Sequence, residues 1–393
     1  MSFTEKKYFM IKIALVRGAY LNNFEGQSYQ FVNPNKYKIT GVSSMRSIHK
    51  TFPFEVIRLP SFNDWNVARR IGRAIANRTL GDIQNLFGLE KYACRFDIFH
   101  TADPHYYYSY QLAILRSQNK IKRLLVTSWE TIPFNNESTR EKKRNKHFVL
   151  KQTDHFLCYT DKAKECLIRE GIAPSKITVI ELGVNLQKFK PSDHTSQANS
   201  KSKHSRIIEI LFVGRLVEEK GVMDLYAAYK NLKSQMSNVK YVKLHFIGEG
   251  PLVGRLNNMI LNDGLKKYVI IERASYEKMA KVYRRANIFV LPSHRTNTWE
   301  EQYGMVLVEA MASGLPIIAY DTGAIKEVVG NAGIYIHEGD VGGLTFAIEN
   351  LIKDTDFRIK VGTIGRERVK REFDCRKTAK KIEKLYEKLY LKF

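Results

Sequence analysis

Short apolar runs recur along the chain, each closed by glycine, proline or a polar loop, and stretches with helical spacing separate many of them. A short apolar run bounded by turn residues reads as a buried strand, and apolar residues spaced three and four apart read as a helix face. On that basis Met10–Val16, Phe54–Leu59, Asp97–His100, Leu124–Ser128, His155–Tyr159 and Thr178–Glu181 are expected strands of a first half. Pro191 to Arg206 is rich in Ser, Lys and His without apolar periodicity, which marks a linker. Beyond it the alternation restarts with Ile208–Val213, Val242–Ile247, Val269–Ile271, Ile288–Leu291 and Leu315–Ala319. Helices are expected after Gly221, after Pro251, around Met279–Arg285 and from Gly304 to Gly314. Strands alternating with helices build parallel sheets, so the expected class is α/β with two Rossmann-like domains. The expected boundaries are residues 1–190, a linker 191–206, a second domain 207–372, and a final helix 373–393. That helix carries Ala379, Ile382, Leu385, Tyr386 and Leu389 on one face.

The stretch Ile288 to Thr322 condenses this pattern into strand, loop, helix, strand. Ligands of such units bind beyond the carboxyl ends of the strands. The first N–H groups of the helix, around Gly304, Met305 and Val306, are free to hold an anion. Glu301 precedes the first turn and Glu309 lies about one and a half turns inside it. A carboxylate ahead of the anion site can accept sugar hydroxyls, and one behind it ribose hydroxyls. Glu301-x7-Glu309, with Gln302-Tyr303-Gly304 and Glu309-Ala-Met-Ala-Ser-Gly-Leu-Pro, resembles the signature of retaining glycosyltransferase family 4.

The resemblance implies the GT-B fold: two Rossmann-like domains facing a central cleft, with the C-terminal helix crossing back to the first. It implies a nucleotide diphosphate sugar as co-substrate, no further cofactor, no metal, and a hydroxyl acceptor held by the first domain. Gly214-Arg215-Leu216 and Lys220-Gly221 resemble the family elements at the leaving diphosphate. A guanidinium clamps such a group bidentately and an ammonium neutralises it as a point charge. Gly248-Glu249-Gly250-Pro251 resembles a loop at the nucleotide end, although Gly-x-Gly-Pro alone is only a turn. Arg273 stands where members often carry a glycine beside the base, and Gly323-Ala324 replaces a frequent glycine pair. Tyr303, Gly304, Met305, Val306 and Glu309 complete the implied donor set.

In the first half, Gly18 follows the first strand where the family places a glycine-rich loop; an ordinary strand-to-helix connection accounts for it equally. His100 and Asp103 resemble the acceptor-side segment, and Glu130 occupies a strand-end position. A histidine after a strand is also a common structural residue. Gly183-Val184-Asn185 resembles the family's exit from the first domain. On this reading retention needs no dedicated nucleophile. The sugar ionises toward an oxocarbenium, the acceptor attacks from the face that the phosphate leaves, and a phosphate oxygen takes the proton.

Composition adjusts this picture at a few points. The 393 residues suffice for two cores, and the scattered Cys94, Cys158, Cys166 and Cys375 lack zinc or disulfide spacing, favouring a reduced, cytoplasmic setting. No apolar run is long enough to span a bilayer, and the charged N-terminus does not read as a signal peptide. Asp354-Thr-Asp356 matches the Asp-x-Asp pattern but reads as a helix cap and turn. The formal charge is +24, with Arg69, Arg70, Arg73 and Arg78 on one predicted helix and a basic run from Arg140 to Lys151. Such charge suits a lipid-linked acceptor at an anionic membrane surface, or simply a solvated face. No nucleic-acid module accompanies it, so nucleic acid is not an expected partner. The rival enzyme classes are a nucleotide-sugar epimerase or a phosphorylase-like member of the fold.

Overall fold

The computed structural model describes residues 10–64, 82–192, 207–235 and 241–391. The helix expected to carry Arg69, Arg70, Arg73 and Arg78, and most of the linker 191–206, lie outside the described residues. The chain separates into two compact units, residues 1–183 with 375–393, and residues 184–374. The first division falls ahead of residue 190 because the exit segment packs on the second unit. Val184 bridges to Asp374, and Phe189 is fully buried against Tyr283, ring centroids 5.8 Å apart.

The first unit holds seven parallel strands: β1 (Ile11–Val16), β2 (Tyr37–Ser44), β3 (Glu55–Leu59), β4 (Ile98–Ala102), β5 (Leu124–Ser128), β6 (His155–Cys158) and β7 (Ile177–Val179), ordered β3-β2-β1-β4-β5-β6-β7. The second holds β8 (Ile208–Val213), β9 (Val242–Ile247), β10 (Val269–Glu272), β11 (Ile288–Leu291), β12 (Ile317–Tyr320) and β13 (Gly333–Ile336), ordered β10-β9-β8-β11-β12-β13, again all parallel. Covered on both faces, the inner strands read as continuous apolar runs, which is why the sequence reveals them. Two strands escape that signal. β2 contains Lys38, Thr40, Gly41, Ser43 and Ser44, yet all but Lys38 is buried between β1 and β3. β13 is a half-buried edge of four residues.

The helix Cys375–Tyr390 crosses back to the first unit, as the GT-B resemblance implies. Ala379, Ile382, Leu385, Tyr386 and Leu389 are all buried there. Thr378 Oγ1 donates to the Glu181 carbonyl at 3.0 Å, and the Tyr386 hydroxyl bonds His100. Asp354 ends one helix and caps the next, accepting the Phe357 N–H at 2.8 Å. Among the described residues no helix is long and apolar enough to cross a membrane.

Candidate functional site

In the second unit, chain order runs outward from β8 through β9 to β10 and, in the opposite direction, from β11 through β12 to β13. The reversal between β8 and β11 is a topological switch point, where two loops part and leave a crevice at the strand ends. Gly214 leaves β8 and donates to the Ile247 carbonyl at 3.0 Å. Gly248 leaves β9, and a Cβ there would overlap the Gly214 carbonyl, so this close approach of two turns requires glycine.

Lys220 ends a short 3-10 turn, and Gly221 follows at φ 65°. A Cβ on Gly221 would overlap the Pro292 carbonyl, so glycine lets the lysine turn lie directly against the exit of β11. Lys220 Nζ thereby meets Glu301 Oε2 at 2.5 Å, and Ser293 Oγ donates to the same oxygen at 3.0 Å. The ammonium also lies 4.8 Å from the Trp299 ring centroid. Only 13% of the Lys220 side chain and 10% of that of Glu301 are exposed, so a charged pair is held nearly out of water. The helix Met305–Ala312 starts next to it, with Gly304 (φ 74°) as its N-cap. Leu307 N–H turns back to the Gly304 carbonyl, whereas the N–H groups of Met305 and Val306 precede the reach of the helix ladder. The ion pair and the positive helix end therefore occupy one corner of the switch point.

The other expected donor residues are placed differently. Arg215 is largely exposed and pairs with Glu219 at 3.3 Å. Arg273 is exposed and pairs with Glu249 at 2.8 Å. Tyr303 is buried, its ring edge-on to Phe373. Glu309 is buried, with Oε2 accepting the Tyr283 hydroxyl at 3.0 Å and the Tyr276 hydroxyl as a second hydrogen-bonding neighbour. Lys188 is the cation that faces it, lying 3.8 Å from the Tyr276 ring centroid.

Burial pushes the Glu309 carboxyl up to about 7, against the Tyr283 and Tyr276 hydrogen bonds and the Lys188 charge, which favour ionisation. The folded protein binds this proton more tightly than the unfolded chain does, so its stabilising effect is complete below about pH 4.5 and is lost as pH rises through about 7. Glu309→Gln should flatten that part of the pH dependence of the melting temperature between about pH 4.5 and 7. A melting profile of unchanged slope in the variant would remove Glu309 as a buried acid.

In the first unit the switch point lies between β1 and β4. Gly18 (φ 52°) follows β1, next to Arg17, which is 1% exposed. The Arg17 guanidinium donates to Glu25 at 2.6 to 3.1 Å, to the His100 carbonyl at 2.9 Å and to the Val16 carbonyl at 3.1 Å; Tyr159 also donates to Glu25. β4 runs to Ala102, two residues past the expected end, because Ala102 pairs with Thr127 of β5. His100 is therefore inside the sheet. It is fully buried, with Nδ1 2.8 Å from the Tyr386 hydroxyl and Nε2 2.7 Å from Thr127 Oγ1. Burial and the Arg17 charge hold its pKa well below the usual value, so it stays neutral. Nδ1 thus ties the ring to the C-terminal helix, and Nε2 ties it to β5.

Asp103 is the first residue beyond β4, at φ 45°, with Oδ1 accepting the Trp129 N–H at 2.9 Å. Burial raises its carboxyl to about 7, helped by Glu130 and Glu25. Glu130 is buried, and its Oε1 accepts the N–H groups of Thr131 and Ile132 while Oε2 accepts the side-chain amides of Asn135 and Asn136. Asp103 is thus the expected acceptor-side residue standing at a strand end, while His100 and Glu130 are committed to holding the fold.

Residues 193–368 match the family described as glycosyl transferases group 1, and residues 41–188 match glycosyltransferase family 4. Together the two matches take in most of the chain, and both are to glycosyltransferase families. The chain is 28% identical over 256 residues to the capsular polysaccharide biosynthesis glycosyltransferase CapM of Staphylococcus aureus. That match takes in 61% of the chain and 65% of CapM, less than two thirds of the relative's own length. Among solved structures, a sucrose-phosphate synthase from Thermosynechococcus elongatus superposes with a TM-score of 0.73 at 20% identity, over 97% of this chain and 99% of that one. Anabaena HepE in complex with UDP superposes with a TM-score of 0.72 at 15% identity, over 96% and 100%. These likenesses show the fold, GT-B with two parallel-sheet Rossmann-like domains.

Four participants were not singled out from the sequence: Ser293 and Trp299 around the Lys220–Glu301 pair, and Lys188 with Tyr283 around Glu309. Ser293 and Trp299 belong to the strand–loop–helix stretch and were legible as neighbours of Glu301. Lys188 and Tyr283 carried no signal, being brought to Glu309 only by packing.

Proposed function

We propose that this protein transfers a sugar from a nucleotide diphosphate sugar to a hydroxyl acceptor, with retention at the anomeric carbon and without a metal ion. The observation that carries this reading is the nearly buried Lys220–Glu301 pair beside the helix start at Gly304. The helix N–H groups and Lys220 suit a diphosphate, since departure of that group concentrates negative charge where dipole and ammonium are already fixed. Arg215, exposed at the β8 exit, is free to swing from Glu219 onto the same group. Glu301, once Lys220 turns to the diphosphate, accepts hydroxyls of the sugar, and Glu309 accepts those of the ribose. Gly214, Gly248 and Arg273 line the nucleotide side; Gly18 and Asp103 stand on the acceptor side. HepE was solved with UDP, and also with UDP-glucose, which favours a uridine nucleotide here. The acceptor is a glycan or a lipid-linked glycan, met at the cytoplasmic face of a membrane; the capsular polysaccharide role of CapM supports it.

The test is release of nucleoside diphosphate from a panel of nucleotide sugars with and without acceptor, and assignment of the new anomeric centre by NMR. Release that requires a hydroxyl acceptor, with the anomer kept, is expected. Release without any acceptor points to an epimerase-like reaction, and an inverted centre overturns retention. Transfer should survive excess EDTA, and Asp356→Asn should be nearly silent, since Asp354 is the capping residue of that turn and Asp356 lies in the first turn of the helix. Loss of activity in EDTA that magnesium or manganese restores would overturn the metal-free mechanism.

A further inference from the structure

Besides Met10, Phe87, Ile168 and Leu391, the first unit exposes a group of apolar side chains along one edge of its sheet. Tyr20 follows β1, Met45 and Ile48 follow β2, and Phe134 follows β5, and these are 42%, 54%, 53% and 55% exposed. β2, β1, β4 and β5 are neighbours in one parallel sheet, so all of these loops leave its carboxyl edge. At about 4.8 Å per strand the row extends over roughly 15 Å. Single exposed apolar residues are ordinary, but a row along one edge is the mark of an interaction surface.

Phe134 is also held there against its backbone preference. It sits at φ 61°, as does Asn136, a conformation that a bulky residue rarely adopts. Buried charges enforce it. Glu130 gathers the loop through its four hydrogen bonds, and the Phe134 N–H donates to Glu170 at 2.7 Å. Lys146, 2% exposed, reaches the Asn135 carbonyl at 3.0 Å and Glu170 at 2.6 Å. The other side of the helix that supplies Lys146 exposes Arg140, Lys143, Arg144, His147 and Lys151. Arg46 and Lys50 are exposed beside Met45 and Ile48. Glu137, which meets Lys143 at 3.7 Å, and Glu141 offset part of this charge. An apolar row flanked by cations matches an acidic lipid surface, where rings and thioethers enter the headgroup layer and ammonium groups meet its charges.

We propose that the carboxyl edge of the first unit's sheet docks on an anionic bilayer, with Met45, Ile48 and Phe134 inserted. This deepens the reading of the first unit as the acceptor side, because it would bring the site to a lipid-linked acceptor. The test is co-sedimentation with vesicles of phosphatidylcholine and phosphatidylglycerol in equal amounts, at low and high salt. The wild-type chain should sediment at low salt, and Lys143→Glu with Arg144→Glu should weaken binding by about fivefold for each unit of charge changed. Phe134→Asp should weaken it on the order of tenfold, Met45→Asp with Ile48→Asp by more, and Phe134→Leu should restore it. Melting temperature and UDP affinity should be unchanged in all of them. A wild-type chain that stays in the supernatant overturns the proposal. So does binding that falls on charge reversal but ignores the aspartates, because it would be adsorption without insertion. Vesicle binding by a chain that fails to bind any nucleotide would leave the docking surface standing and remove the transferase reading instead.

Discussion

Replacing Lys220 by alanine is expected to slow sugar transfer by on the order of 100-fold or more, because it removes a fixed cation from the site where diphosphate charge develops. The same change strands Glu301. With Lys220 gone, a carboxylate only 10% exposed retains Ser293 as its hydrogen-bond donor. Breaking such a pair costs about 3 kcal/mol of stability. Arg215→Ala separates the two effects. Arg215 is more than half exposed and its partner Glu219 stays partly solvated, so that variant should lose turnover on a similar scale with little change in melting temperature. Glu301→Gln in the Lys220→Ala background should recover stability without recovering turnover, since the stranded charge goes but the cation does not return. Steady-state kinetics alongside thermal melts reads all of this. Full activity in both single variants would remove Lys220 and Arg215 from the mechanism.

Arg17→Met is expected to produce the largest loss of stability, about 3–5 kcal/mol, by leaving Glu25 as a buried charge. Both side chains are 3% exposed or less, and the guanidinium also ties the His100 carbonyl to the end of β1. The methionine fills much of the volume, so the loss isolates charge and hydrogen bonding from cavity formation. Arg17→Met with Glu25→Leu should regain a large part of it, because a buried pair replaced as a whole is often neutral. Urea denaturation compares the three chains. A loss below about 1 kcal/mol in the single variant would mean that Glu25 finds another partner or water.

The sequence reading went furthest where a short stretch contains both signal and consequence. Ile288 to Thr322 predicted a strand, a loop, a helix beginning at Gly304 and a second strand, and these are β11, the loop, Met305–Ala312 and β12. The glycines at 221 and 304 announced turns that bring a lysine and a helix end to the strand exits, and their positive φ values are the local cause. Asp354 as a cap was legible for the same reason, since a cap acts over three residues. β2 was not legible, because its polar residues are buried by flanking strands that other segments supply.

The residues of the site divide along the same line. That Glu301 and Glu309 bracket a helix start is a matter of spacing and was settled by the chain itself. That Glu301 meets Lys220, 81 residues earlier, while Glu309 turns inward to Tyr283, was decided by the order of the sheet. Arg215 read as the equal of Lys220, yet Lys220 is nearly buried because Gly221 packs on Pro292, whereas Arg215 leaves β8 into solvent beside Glu219. His100 read as an acceptor residue and lies inside a strand, bonded to a tyrosine 286 positions away. Periodicity, caps and turns depend on neighbours in the chain and so fixed the elements and the class of fold. Burial and partner choice depend on which distant strands and helices come to lie side by side, and only the folded chain determines those.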